Sequence, residues 1–112
     1  MDVKSETAGG VAVYRIVGRI DASTSPRLES AVVSAIGGGT PWIVYDMREV
    51  GYMSSAGLRG VLMIAKQAKA ARGGLAVFGL QPAVDEVFES SGFQNIIPIA
   101  PDETQARAAL RA

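Results

Sequence analysis

Two adjacent hydroxyls, Ser54 and Ser55, are the residues of this chain best placed to do chemistry. They lie within Tyr52-Met53-Ser54-Ser55-Ala56-Gly57-Leu58, where strand-type sequence gives way to a helical pattern. A helix start has free backbone N–H groups and the positive end of the helix dipole, and both favour negative charge. A serine there can carry a phosphate without wrecking the fold. The chain has no His and no Cys, so imidazole bases, Ser-His-Asp triads, thiol nucleophiles, disulfides and zinc-thiolate sites are excluded. The two hydroxyls are expected to be acted upon rather than to act.

Serine before a helix ordinarily serves as an N-cap, worth about 1 kcal/mol. Three neighbouring features argue for more than a cap. Tyr52 and Met53 are large apolar residues on what reads as a connecting loop, where solvation favours small polar ones. Ala56-Gly57 removes bulk beside the hydroxyls and permits close backbone approach. Arg59, Met63 and Lys66 form an outward stripe on the following helix that continues this surface. Together they predict a docking surface with a hydroxyl in its middle.

Other groupings carry less. Gly37-Gly38-Gly39-Thr40 lacks the Gly-Lys-Ser/Thr ending of a phosphate loop and follows a helix, so it reads as a turn. Asp21, Asp46 and Glu49 fall in separate segments without the ligand density of a calcium loop, and no metal site is assigned. A small enzyme would have to rely on Asp21, Asp46 or Lys66, and their spacing supports no such site. Asp46 is notable as the last residue of an apolar strand, because ligands and partners of open α/β sheets meet the carboxyl ends of strands.

The elements that must position these residues follow from periodicity. Val3 to Thr7 and Val11 to Val17 predict a hairpin around Ala8-Gly9-Gly10, after which Gly18-Arg19-Ile20-Asp21 leaves the sheet. Ser25 is the expected N-cap and Pro26 the first turn of a helix with Leu28, Ala31, Val32, Ala35 and Ile36 on one face. Trp42 to Asp46 reads as a short buried strand. A long helix over Ser55 to Arg72 buries Leu58, Val61, Leu62, Ala65 and Ala68 and stops at Gly73-Gly74. Leu75 to Leu80 is a further strand. Pro82 opens a helix with Asp85 and Glu86 in its first turn, and Gly92 closes it. Ile96 to Ile99 is a last strand whose proline places it at an edge or bulge. Asp102-x-x-Gln105 is a capping box before a final helix. The order β-β-α-β-α-β-α-β-α predicts a mixed, mostly parallel α/β sheet of about five strands with four helices.

Composition sets the class of partner. The chain has 112 residues, 48% hydrophobic and 20% charged, with 11 basic and 11 acidic side chains in balance. That is the profile of a soluble globule large enough for one core. Zero net charge offers no footprint for nucleic acid or anionic lipid. No signal-peptide layout and no apolar run of about 18 residues is present, so a cytoplasmic protein away from the membrane is expected.

The segments Ile43-Val44-Tyr45-Asp46, Tyr52 to Leu58, Gly73-Gly74 and Leu80-Gln81-Pro82-Ala83-Val84 resemble the STAS domain, the sulfate-transporter and anti-sigma-factor-antagonist family. Gly18-Arg19-Ile20-Asp21 and Phe88-Glu89-Ser90-Ser91-Gly92-Phe93 extend the likeness in order along the chain. The resemblance implies one STAS domain over residues 1–112, similar to free-standing bacterial anti-sigma factor antagonists. It implies a regulator, not an enzyme, that works as a phosphorylation-controlled partner switch without a cofactor. The family pattern Asp-Ser-Ser/Thr-Gly-Leu, matched backwards from Gly57-Leu58, implies Ser55 as phosphoacceptor. Ser54 is the second choice, standing where the family often has aspartate, and Ala56 replaces a second hydroxyl. Asp21 and Asp46 match acidic positions bordering the switch. The implied partner-binding set is Asp21, Tyr52, Met53, Ser54, Gly57, Arg59 and Met63. The implied partners are an anti-sigma factor serine kinase with a histidine-kinase-like ATP fold and a metal-dependent serine phosphatase. The alternative is a STAS subunit that works unphosphorylated, in an ABC lipid transporter or a signalling scaffold.

Overall fold

The computed structural model describes residues 1–110. Its elements run β1 (Asp2–Ala8), β2 (Val11–Ile20), α1 (Ser25–Gly37), β3 (Trp42–Met53), α2 (Ser55–Ala70), β4 (Gly74–Phe78), α3 (Pro82–Ser91), β5 (Ile99–Ala100) and α4 (Glu103–Leu110). Gly9 and Gly10 both take positive φ, the requirement of a tight two-residue hairpin turn, and β1 pairs antiparallel with β2. The remaining neighbours are parallel, giving the sheet order β1-β2-β3-β4-β5. This is the mixed α/β sheet that the alternating pattern predicts.

Sequential strand order with right-handed crossovers sends every connecting helix to the same side. Accordingly α1, α2 and α3 pack Leu28, Val32, Val61, Ile64, Val84 and Phe88 against Tyr14, Ile43, Tyr45 and Leu75 of the sheet. The opposite face carries Val11, Val13, Val44 and Phe78, covered by Ala106 and Leu110 of α4. At the start of α4 the Gln105 N–H donates to Asp102 Oδ1 at 2.9 Å, as the capping pattern predicts. Gly92, in the left-handed conformation, ends α3.

Four boundaries differ from expectation, each for a definable reason. β3 does not stop at Asp46 but continues to Met53. Two register shifts against β2 spread its core-facing residues to Ile43, Tyr45, Met47, Val50 and Met53, so the period of two is lost halfway along. β2 likewise stays in the sheet to Ile20, with Gly18 at φ +113° beside the second shift. Ser25 is not a cap; it is the buried first residue of α1, and its hydroxyl donates to Glu29. Ile96 and Ile97 lie off the last strand, which pairs only at Ile99–Ala100 on the sheet edge after Pro98. Smaller departures concern helix faces: Ala31 is exposed, and Ile64 rather than Leu62 is fully buried in α2.

Candidate functional site

Where β2 and β3 end side by side, α2 begins. Ile20 pairs with Met53, and the next N–H, that of Ser54, donates to the Ile20 carbonyl at 3.0 Å. Ser54 then caps α2: its hydroxyl accepts from Gly57 N–H at 3.1 Å, and its carbonyl accepts from Leu58 N–H at 2.9 Å. Gly57 is buried against β2, and a Cβ there would run into the Ile20 backbone carbonyl. A glycine is thus what lets α2 start directly on the end of the sheet. Ser55, the first helical residue, is exposed, and its hydroxyl makes no hydrogen bond among the described residues. The N–H groups of Ser55 and Ala56 have no acceptor within the helix.

Asp21 organises the loop alongside. Its Oδ1 accepts from Ser23 N–H at 2.9 Å, Ser23 hydroxyl at 2.7 Å and Thr24 N–H at 3.2 Å, while Oδ2 meets Arg19 Nε at 3.4 Å. Donation from the Ser23 hydroxyl, followed by these backbone and arginine contacts, holds the carboxyl below its ordinary value against a smaller desolvation effect. Arg19 also lies over the exposed Tyr52 ring, 4.6 Å from its centroid.

α2 is flanked by two open grooves. On the α3 side, Ser55 and Leu58 face Ala83, Glu86, Val87 and Ser90 across a space of about 450 Å³. On the α1 side, Ala56, Arg59 and Met63 face Ala22, Pro26 and Glu29 across about 310 Å³. Arg59 and Met63 are exposed, as the outward stripe predicts.

Two residues expected at this surface are elsewhere. Met53 is 3% exposed and belongs to the core, because the bulged strand turns it towards the helices. It supports the surface from beneath and offers no side chain to a partner. Asp46 does not border the hydroxyls; it lies mid-strand on the α4 face, where Arg15 donates to it at 3.0 Å and Arg48 at 2.8 Å. Burial pushes the Asp46 carboxyl up, but the hydrogen bonds from Arg48 and Arg15 outweigh this and hold it below the ordinary value. Arg15 further reaches Glu6 and Glu103, so the cluster ties β1, β2, β3 and α4 together.

Among the described residues no group of His, Asp and Glu is suited to a metal ion, and no helix is long and apolar enough to cross a membrane. The arrangement offers one free hydroxyl at a helix start, on a surface of mixed apolar and charged groups. Comparison with known proteins decides the family: the STAS domain model matches residues 2–106. The chain belongs to the STAS domain family. The protein BtrV of Bordetella bronchiseptica, named as a candidate anti-sigma factor antagonist, is 34% identical over 111 residues, covering 99% of this chain and 96% of that protein. The crystal structure of an anti-sigma factor antagonist from Mycobacterium paratuberculosis superposes with a TM-score of 0.87 at 26% identity, covering 99% and 94% of the two chains. The Bacillus cell fate determinant SpoIIAA in its phosphorylated form shares the fold, with a TM-score of 0.75 at 21% identity over 96% and 99%.

Within this STAS chain, the structure brings Asp21, Tyr52, Ser54, Ser55 and Gly57 to one end of the β2–β3 pair, with Arg59 and Met63 along the adjoining helix. Sequence reading missed Arg19, which stacks on Tyr52 only because two bulges bring these positions into register. It also missed the α3 wall of Glu86 and Val87, which no local pattern links to Ser55.

Proposed function

We propose that this STAS protein is an anti-sigma factor antagonist, non-catalytic and cytoplasmic, that works as a phosphorylation-controlled partner switch with Ser55 as acceptor. The observation that carries the reading is the division of labour between two adjacent hydroxyls. Ser54 is committed to the helix cap, whereas Ser55 is exposed and unbonded at the first position of α2. The names of the relatives support the antagonist role.

In the unphosphorylated state Ser55, with Tyr52, Arg59, Met63 and the Asp21 turn around it, docks on an anti-sigma factor serine kinase and displaces the client. A phosphoryl group adds about −1.5 to −2 charges at pH 7. Within the domain that charge meets the free N–H groups and dipole at the start of α2, and Arg59 stands at the i,i+4 spacing that lets side chains meet. In a packed interface the same charge would have to be desolvated, so binding is lost while the fold persists. A metal-dependent serine phosphatase resets the switch, with the metals held by that enzyme.

The test combines the purified chain with its cognate kinase and ATP, followed by peptide mapping. The expected outcome is one phosphoryl group on Ser55, with Ser55→Ala binding the kinase constitutively and Ser55→Asp weakly. Phosphate found on Ser54 would move the switch by one residue. An unchanged mass together with stable co-purification of a transporter ATPase would replace the reading with that of an unphosphorylated accessory subunit.

A further inference from the structure

We propose that the protein forms a two-fold dimer by antiparallel pairing of β1 with β1 of a second copy, in a register centred on Ser5. β1 is an outer strand of the sheet, seven residues long, and all of it but Val3 is exposed. Proteins guard such edges with proline, bulges, very short strands or charged side chains. Of these the edge Asp2-Val3-Lys4-Ser5-Glu6-Thr7-Ala8 has only charges, Asp2, Lys4 and Glu6; it contains no proline and pairs with β2 without a register shift, so what it admits is decided by charge complementarity.

The charges on the strand point to the occupant. Lys4 stands directly across from Arg15 of β2, a like-charge pair, and makes no ion pair of its own among the described residues. Like charges directly opposite one another destabilise a sheet, and opposite charges stabilise it. A two-fold axis at Ser5 places Lys4 opposite Glu6 of the second copy, and Glu6 opposite its Lys4. Glu6, already bonded to Arg15 at 2.9 Å, then receives a second cation from the other side. The same register sets Val3 against Thr7 and Asp2 against Ala8, so it contains no like-charge pair. Ser55, beyond β3 and on the helix side, remains open in such a dimer.

The chain has no cysteine, which permits a clean crosslinking test on all 112 residues. Directly opposed antiparallel residues have Cα atoms about 4.5–5.5 Å apart, within the range a disulfide spans. Ser5→Cys should oxidise to a covalent dimer, while Ala8→Cys, opposite Asp2 of the other copy, should not. In sedimentation equilibrium, Lys4→Glu and Glu6→Lys should each weaken the dimer about tenfold, since two cross-strand pairs turn from attraction to repulsion. The double variant Lys4→Glu/Glu6→Lys restores complementarity and should recover the dimer, and mixing the two single variants should give heterodimers. A monomer at all concentrations, equal crosslinking at positions 5 and 8, or no recovery in the double variant would each overturn the proposal. Circular dichroism of every variant separates these outcomes from loss of the fold.

Discussion

Strands β2 and β3 lie side by side along their length, yet their middle and their shared end treat an acidic side chain in opposite ways. In the middle, Asp46 is enclosed by Arg15 and Arg48 beneath α4, and its charge is consumed by neighbours fixed within the domain. At the end, Asp21 is held by backbone N–H groups and a small hydroxyl, and it leaves Arg19 stacked over an exposed Tyr52. The middle is a clasp between layers of the fold. The end is a turn that presents groups outward beside Ser55. Both carboxylates meet a backbone amide and a guanidinium, and the difference is that Arg15 clasps Asp46 from a neighbouring strand whereas Arg19 at Asp21 stays exposed over Tyr52.

The largest expected effect belongs to the shared end, through its backbone contact. Gly57→Ala gains about 1 kcal/mol of helix propensity. It also forces a Cβ into the Ile20 carbonyl, and overpacking of this kind costs about 1–3 kcal/mol, more when backbone must move. Because the obstacle is backbone that also accepts the Ser54 N–H, the clash wins, and a net loss of about 2 kcal/mol is expected in urea denaturation. Partner affinity should fall with it, since the start of α2 must shift. Unchanged or improved stability would show that α2 is not seated on β2 by this approach.

Asp46→Asn probes the middle and should cost about 1–2 kcal/mol at neutral pH. The figure is kept low because Arg48 and Arg15 are 62% and 36% exposed, so solvent screens both pairs. Kinase binding should be unchanged, since Asp46 lies on the α4 face. The pH dependence carries the sign. A carboxyl whose folded value lies below its ordinary 3.8 contributes stability fully above that value and loses it as pH falls through the folded value. Wild-type stability should therefore drop below about pH 4, and the variant should show a flatter acid limb in pH-resolved denaturation. Equal slopes would remove Asp46 from the clasp.

The same contrast explains what the sequence could and could not reveal. The alternation of strands and helices, the glycine stops at Gly37 and Gly92 and the Asp102 cap were legible because each rests on local geometry. The length of β3 was not. Asp46 looked terminal because a lone charge after an apolar run reads as a strand end; Arg48 follows it on the same strand, but Arg15, the other arginine on Asp46, is recognisable as its partner only once β2 and β3 are paired. The bulges then disguised Met53 as a loop residue by breaking the period of two. At the candidate site, the start of α2 and the Ser54 cap were visible in sequence. Arg19 over Tyr52 depends on the same hidden register and was not.

Asp21→Asn is the matched substitution at the shared end, and its expected effect on global stability is the smallest of the three, as for surface positions generally. The amide keeps an oxygen that can accept from Ser23 and Thr24, so the turn should form, but it gives up the charge that draws Arg19 and strengthens those bonds. The loss should be local. Hydrogen exchange at the Ser23 and Thr24 amides should accelerate while exchange in β3 stays at its wild-type rate. Kinase affinity should weaken, because the loop beside Ser55 no longer holds a single arrangement. A destabilisation as large as that of Asp46→Asn would break the contrast, since it would make the turn a clasp as well. Unaltered exchange with weakened binding would sharpen it differently, by assigning the Asp21 charge to the partner rather than to the loop.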